Sequence, residues 1–482
     1  MVHHFKLLPF CLSFLILSHL SVAAVFPKEG SKLNYRLIGF SLPYDSENGK
    51  YKIEIAIGYY NNIDSFKKNI VVTTTSEKNK LITEVPSFGK KYTWRAVNAT
   101  NGRTEQESQL YHFSTGFIPV VDTSMFRLKI VKQAEKFKDD YVFVDALGTL
   151  FDMKGNPVWY LPGVKYEPNT TIQPRDIKVS SFGTITYLIN SFICEINYNG
   201  DTLWSNNGHN TKDHEFGFHH QFNRLHNGHY MALASEDVVC SVNNKKITSG
   251  NLVEFDEKGN IVWMWKVLDY ILNSDLRNYV TSFNGVFDFH DNAFYFDQKK
   301  QVVYISLKNV NRVVKIKYPE GNVLTFYGNK FNKTDMGKDF AFHCQHAVKH
   351  SDDGNLYLFD NGCNISTDPK LLLLHEPIDD KDSIKVEWEF QCPVTEIAGG
   401  SKMGENPGGG NVKLLPDKSM FVSTGLRSGA MFIVSLDKNI LWSAVPQVWN
   451  KAAKRWDMIL SYKSYMLSDQ KRLEQLIWNA EK

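Results

Sequence analysis

One pattern constrains this chain more than any other: between residues 140 and 450 a turn followed by a strand ending on an aromatic residue recurs six times. The copies occupy 152–159, 198–204, 256–263, 319–326, 382–388 and 437–442, and close on Trp159, Trp204, Trp263, Phe326, Trp388 and Trp442. Their spacing of about 45–63 residues suits one four-stranded propeller blade per repeat. The turn residues supply a hairpin, and the closing aromatic is expected to pack between neighbouring blades. Six repeats predict an all-β six-bladed β-propeller over 140–448. A β-solenoid or a pair of sandwiches fits the constant hairpin-plus-aromatic register less well.

The flanks read differently. Residues 26–118 alternate polar and apolar side chains in short runs such as 51–57 and 91–97, with Tyr92 and Trp94 on one face. Turn clusters at 46–49 and 101–102 separate the runs, and a small N-terminal β-sandwich is expected. Residues 449–482 place Arg472, Leu473, Leu476 and Ile477 at helical spacing without Gly or Pro, which predicts a short C-terminal helix. Residues 1–24 read as a leader: Lys6, an apolar core from Leu7 to Leu20, and Val22, Ala23 and Ala24 as a small-residue cleavage pattern. The alternative is an uncleaved anchor. No later stretch is apolar enough for a membrane span, so the mature chain is expected to be exported and free of the membrane.

Export gives meaning to two further features. Sequons stand at Asn98, Asn169, Asn332 and Asn364, candidate glycosylation sites on surface loops. Beyond Cys11 of the leader there remain Cys194, Cys240, Cys344, Cys363 and Cys392, an odd set that allows at most two disulfides and has no zinc spacing. A net charge of +3 with no polybasic run gives no sign of a nucleic-acid or anionic-lipid partner. Nothing in the composition fixes an oligomeric state.

Ten of the fifteen histidines lie between 209 and 350. Several share one place in the repeat. His220 precedes the hairpin glycine Gly228 by the same interval that separates His346 from Gly354, and His290 and Asn411 stand at that offset from the turns at 297–300 and 417–419. The strand before such a hairpin is the innermost of a blade, so three imidazoles and one amide are expected at one height of the central channel. Packing alone gives no reason for imidazole to recur there. Arg175 holds the same register before Gly183; a surface arginine in a loosely aligned blade is the alternative. Zinc or copper binding is a second chemical option for clustered histidines, but the only nearby carboxylates are Asp288 and Asp291, so no metal and no cofactor is expected.

The order of motifs is Phe218, His219, His220; then Asp288, Phe289, His290, Asp291, Asn292; then Gln345, His346, Ala347, Val348 leading to Phe359, Asp360, Asn361, Gly362. This resembles the arylsulfate sulfotransferase family, which works without the nucleotide sulfate donor, over roughly residues 26–445. The resemblance implies transfer of a sulfuryl group from a phenolic sulfate to a phenol through a sulfohistidine. His346 would be the nucleophile, His290 and His220 the proton-handling and oxygen-contacting imidazoles, and Asn292 a substrate contact. Arg175 and Asn411 join as channel contacts by register. Where the family carries an arginine after the His-x-Asn element, this chain has Lys308, which keeps the charge and loses the bidentate fork; Arg175 or Arg427 could supplement it. Cys344, two residues before His346, is expected on proximity alone to pair with Cys363 across one blade. The partners would be small phenols. Two rival readings are a non-catalytic exported binding propeller and a quinone-cofactor dehydrogenase, whose eight-bladed form and chromophore set it apart.

Overall fold

The computed structural model describes residues 25–44, 47–98, 106–116, 125–164, 173–209, 214–242, 244–277, 288–328, 341–363, 368–377, 384–397 and 408–481. The leader and the sequons at Asn169, Asn332 and Asn364 lie outside them; Asn98 ends the strand Lys91–Asn98. The chain forms two compact units. The first holds mainly 38–83 and 91–113, and the second holds 114–482 together with 32–37 and 84–90.

The first unit is all β, apart from the short helix Ile63–Lys68. Its main sheet pairs Asn48–Ile57 with both Ile70–Lys78 and Lys91–Asn98, and a second pair joins Leu37–Ser41 to Lys80–Glu84. Phe40 of the second pair meets Trp94 and Phe113 edge to face, at 5.0 and 6.2 Å between ring centres. All three rings are fully buried. Residues 32–37 and 84–90, expected within this unit, group with the second. Their polar contacts explain it: Arg36 donates from Nε to Pro157 O at 2.9 Å, and Tyr35 stacks on Tyr198 at 4.2 Å.

The second unit contains six four-stranded antiparallel meanders, here numbered as blades 1 to 6. Blades 2, 3, 4 and 5 begin on the inner strands Arg175–Val179, Gly217–Arg224, Asp291–Asp297 and Gln345–His350. Blade 6 begins on Asn411–Leu414 and is widened by Phe126–Lys132 and Arg455–Met458. Blade 1 takes Tyr141–Val144, Thr149–Asp152 and Pro157–Tyr160 from the start of the unit, but its inner strand is Tyr465–Leu467, from the far end of the chain. Each inner strand neighbours the next, and that of blade 6 neighbours that of blade 1. The fold is an all-β propeller of six blades.

The repeated tryptophans hold successive blades together. Trp159 of blade 1 donates its indole N–H to Tyr198 O of blade 2 at 2.7 Å. Trp263 reaches Pro319 O at 2.7 Å, Trp388 reaches Leu436 O at 2.8 Å, and Trp442 of blade 6 reaches Met153 O of blade 1 at 3.1 Å. Trp204 stacks on Tyr230 of blade 3 at 3.9 Å instead. An indole suits this joint because it buries a large apolar face and still carries one donor for a hairpin carbonyl.

The C-terminal segment corrects the expectation of a helical 449–482. It contributes two strands before its helix, Gln470–Trp478, which Asp469 caps by accepting from Arg472 N. Strands of four and three residues are too short to show periodicity, so only the helix is legible in sequence.

Blades 4 and 5 are joined by a buried carboxylate. Glu376 accepts from Tyr304 and Tyr327 hydroxyls at 2.9 and 2.6 Å, from Lys315 Nζ at 2.8 Å, and lies 2.8 Å from His350 Nε2. Burial alone would raise its pKa, but the bonds from His350, Lys315 and Tyr327 hold it at about 2. That folded value lies below the unfolded one, so the group's stabilisation is complete above pH ~4.3 and disappears as pH falls toward 2, about 3 kcal/mol in all. Glu376→Ala should cost roughly 3–5 kcal/mol by leaving Lys315 and two phenols unpaired. Thermal melts from pH 7 to 2.5 check both: the wild type should lose its advantage over the variant in that acid window.

Candidate active site

The inner strands of blades 2 to 5 each carry a register break near their start, at Arg175/Lys178, His219/Phe222, Asp291/Ala293 and His346/Lys349. A bulge of this kind inserts one residue and re-aims the side chains beside it. Left-handed backbone occurs at His220, inside its bulge, with φ 60°, and at His290, immediately before its strand, with φ 55°. Such backbone costs on the order of 1 kcal/mol or more for a residue with a Cβ. The strain places the imidazoles of blades 3 and 4 in the channel.

There they form a hydrogen-bonded row. His219 and His220 meet through their Nδ1 atoms at 2.7 Å, and His220 Nε2 lies 3.2 Å from His290 Nε2. His290 Nδ1 lies 3.1 Å from Asp288 Oδ2, and His290 N–H donates to Asp288 Oδ1 at 2.7 Å. One set of neutral tautomers satisfies every link: His219 donates to His220, His220 to His290, and His290 to Asp288. Burial, with His290 and Lys463 nearby, pushes His219 down to about 4. Burial and the neighbouring imidazoles also hold His220 well below its ordinary value. Burial opposes ionisation of Asp288, but the His290 bond and charge keep its carboxyl below the usual range. Asp288 is more than half exposed, so the row runs from solvent into the channel.

His346 stands across the channel, fully buried, its ring 6.5 Å from that of His290. Gly409 N–H donates to Nε2 at 3.2 Å, while Asn361 Nδ2 lies 2.9 Å and Cys344 O 3.3 Å from Nδ1. Nε2 faces the Gly409 N–H, so a proton there would set donor against donor, while Cys344 O can accept from Nδ1. Burial, then Lys463, Lys308 and His290, hold its pKa well below the ordinary value. His346 is a neutral imidazole. The approach of Gly409 requires glycine: its φ is +71°, and a Cβ there would lie 2.4 Å from Tyr462 O. The Cys344–Cys363 disulfide, with Cα atoms 5.6 Å apart, ties the strand start to the loop carrying Asn361.

The positive charge comes largely from a residue outside the repeats. Lys463, 3% exposed, precedes the inner strand of blade 1 and donates from Nζ to His220 O at 3.1 Å and Asn292 O at 3.4 Å. Asp145, fully buried, anchors this segment by accepting from Ser461 Oγ and, at 2.6 Å, from Lys463 N. Beside it, the Tyr462 ring lies 5.8 Å from His220 and 6.5 Å from His346, with the Arg175 guanidinium over its face at 5.1 Å. Lys308 donates its backbone N–H to His290 O at 3.0 Å; burial lowers its pKa and Asp288 opposes this. A cavity of about 310 Å³ opens on the row, lined by Arg175, Leu188, Phe218, His219 and His220 among others.

The arylsulfotransferase family profile matches residues 127–389, more than half of the chain. The chain belongs to the arylsulfotransferase family. A search of curated proteins found no match. Among solved structures, a Bacteroides caccae protein of unknown function is 9% identical, with 72% of this chain and all of that one covered at a TM-score of 0.40. A Pseudomonas aeruginosa periplasmic gluconolactonase is also 9% identical, covering 71% of this chain and 99% of its own at 0.33. Likenesses this remote carry no functional argument.

For an arylsulfotransferase, the structure brings together His220, His290, His346 and Lys308, with Arg175 at the rim. The two amides also donate to backbone carbonyls. Asn292 donates to Gln345 O at 2.8 Å and Asn411 to Ser464 O at 2.9 Å, so both tie inner strands together. Arg427 donates to Asn361 O at 2.9 Å, behind His346. Among the described residues no group of His, Cys, Asp or Glu is arranged to hold a metal ion. Lys463, Tyr462 and Asp145 escaped the repeat analysis. The first repeat offered a signal, since it lacks an inner strand of its own and the ring needs one from elsewhere.

Proposed function

We propose that this arylsulfotransferase moves a sulfuryl group between phenols by a two-step route through His346. In the first step His346 Nε2 attacks sulfur and the S–O bond to the donor phenol breaks. In the second, the acceptor phenol oxygen attacks sulfur, the N–S bond breaks, and the phenolic proton leaves through the imidazole row. The tautomer with Nδ1–H directed at Cys344 O puts the lone pair on Nε2, where it accepts from Gly409 N–H, and attack on sulfur exchanges that bond for N–S. Gly409 N–H, 3.2 Å from Nε2, lies where a sulfuryl oxygen on that nitrogen would need a donor. Lys463 and Lys308 supply charge, and the His219–His220–His290–Asp288 row exchanges protons with solvent. The observation that carries the reading is a fully buried imidazole whose Nε2 accepts from Gly409 N–H, beside a buried ammonium.

The test is initial-rate kinetics with p-nitrophenyl sulfate and a phenol acceptor. Parallel double-reciprocal lines are expected from a covalent intermediate; intersecting lines would exclude one. The full burial of His346 favours a second reading, a pocket that binds aryl sulfates without turnover. Saturable binding with no nitrophenol release would establish that instead. An extracytoplasmic location belongs to the proposal and is supported by the disulfide.

A further inference from the structure

The inner strands that present the imidazoles continue for about 10 Å toward the opposite mouth of the channel. Three residues beyond Arg175 and His346 in sequence stand Lys178 and Lys349. A separate cavity of about 250 Å³ opens there, lined by both lysines and by Thr186, Arg224, Tyr465 and Arg472.

Its charges do not balance. Asp176 pairs with Lys178, and Glu195 pairs with Arg224 at 2.7 Å while also accepting from Thr184 and Tyr230 hydroxyls. Arg472 reaches Asp469 only at 3.8 Å. The Lys349 ammonium has no hydrogen bond or ion pair among the described residues, and burial depresses its pKa despite the attraction of Asp176. Burial raises the Tyr465 phenol, yet Lys413, Arg472, Lys349 and Lys178 outweigh it and bring the phenol below its ordinary value.

Unused donors surround the same space. Thr186, 1% exposed, has no partner for its hydroxyl, and neither Ser181 Oγ nor Arg224 Nε is hydrogen-bonded. Uncompensated positive charge and orphaned buried donors at one cavity describe a site lacking its ligand, since buried polar groups are otherwise satisfied. Two or three cations plus hydroxyls match a tetrahedral oxyanion, which offers several acceptor oxygens to each.

We propose that this cavity is a second, non-catalytic site for a divalent tetrahedral oxyanion, sulfate or phosphate, taken free or as the charged end of an ester.

The test is calorimetric titration at low ionic strength with inorganic sulfate, inorganic phosphate and, in a third arm, phenyl phosphate. The last separates free anion from ester. Running it in Lys463→Gln protein removes the contribution of the candidate active site. One saturable site is expected there, weakened at least tenfold when Lys349→Gln is added and also weakened by Thr186→Val. Lys349→Gln should melt no lower than its parent without anion, since it removes an unpaired, half-buried charge, and should lose the anion-induced rise in melting temperature. Absence of saturable binding in the Lys463→Gln background, or binding indifferent to Lys349→Gln, would overturn the assignment.

Discussion

Replacing His346 with alanine will remove sulfuryl transfer, lowering kcat by roughly 10⁴–10⁶-fold, the range seen when a covalent nucleophile is deleted. Deleting the ring removes the bond-forming atom, whereas deleting one member of the imidazole row leaves a channel through which water can still carry protons. His290→Ala should therefore cost only about 10²–10⁴-fold, the usual share of acid–base catalysis. The sharper measurement is intact mass after incubation with p-nitrophenyl sulfate and no acceptor. Wild-type protein should gain one sulfuryl group, located at His346 by peptide mapping, and lose it when phenol is added. His346→Ala protein that still releases nitrophenol at a comparable rate, or label found on another residue, would remove His346 from the mechanism. The variant should fold, because the disulfide and the Asn361 bonds to Cys344 O and Gly409 O persist without the imidazole.

The repeat arithmetic placed His220, His290 and His346 at one height because hairpin spacing fixes where a blade's inner strand begins. By register it also assigns Arg175 and Asn411 to the channel, whereas Asn292 comes from the family resemblance. Asn411 holds the register and donates its amide to Ser464 O, and Asn292, two residues beyond the register position of His290, donates to Gln345 O. Sequence register gives depth along the channel, not the partner that captures a side chain. The recurring tryptophans were legible as joints, but their use of the indole N–H to reach the next hairpin was not, since an aromatic at a strand end has several packing options. Lys463 and Tyr462 were hidden for a topological reason. Asp145 captures their segment from 316 residues away along the chain, a pairing that no local pattern encodes. The doubt raised by Lys308 in place of an arginine changes accordingly: the pocket has a second ammonium where the sequence showed one.

That second ammonium should prove nearly as important as the nucleophile. Lys463→Gln is expected to lower kcat/KM for an aryl sulfate by about 10²–10³-fold, the usual cost of one preorganised donor to developing negative charge. Its ionisation supplies a signature that simple loss of packing cannot imitate. Burial, with Lys349 and Lys178 nearby, brings its pKa down to about 8 although Asp176 and Asp145 oppose the change. Nζ is positive below that value and neutral above it, so wild-type kcat/KM for the donor half-reaction should fall as pH rises through 8. Lys463→Arg, which stays charged, should recover part of the activity and shift the alkaline limb beyond pH ~10. Stability should move the other way. The folded pKa lies below the unfolded value near 10.4, so the unfolded chain binds the extra proton between those limits and this group's contribution to stability rises with pH across them. A melting temperature held or raised between pH 8 and 10 while transfer declines would separate loss of charge from loss of structure. If the alkaline limb persists at pH 8 in Lys463→Arg protein, another group carries the charge that binds sulfate.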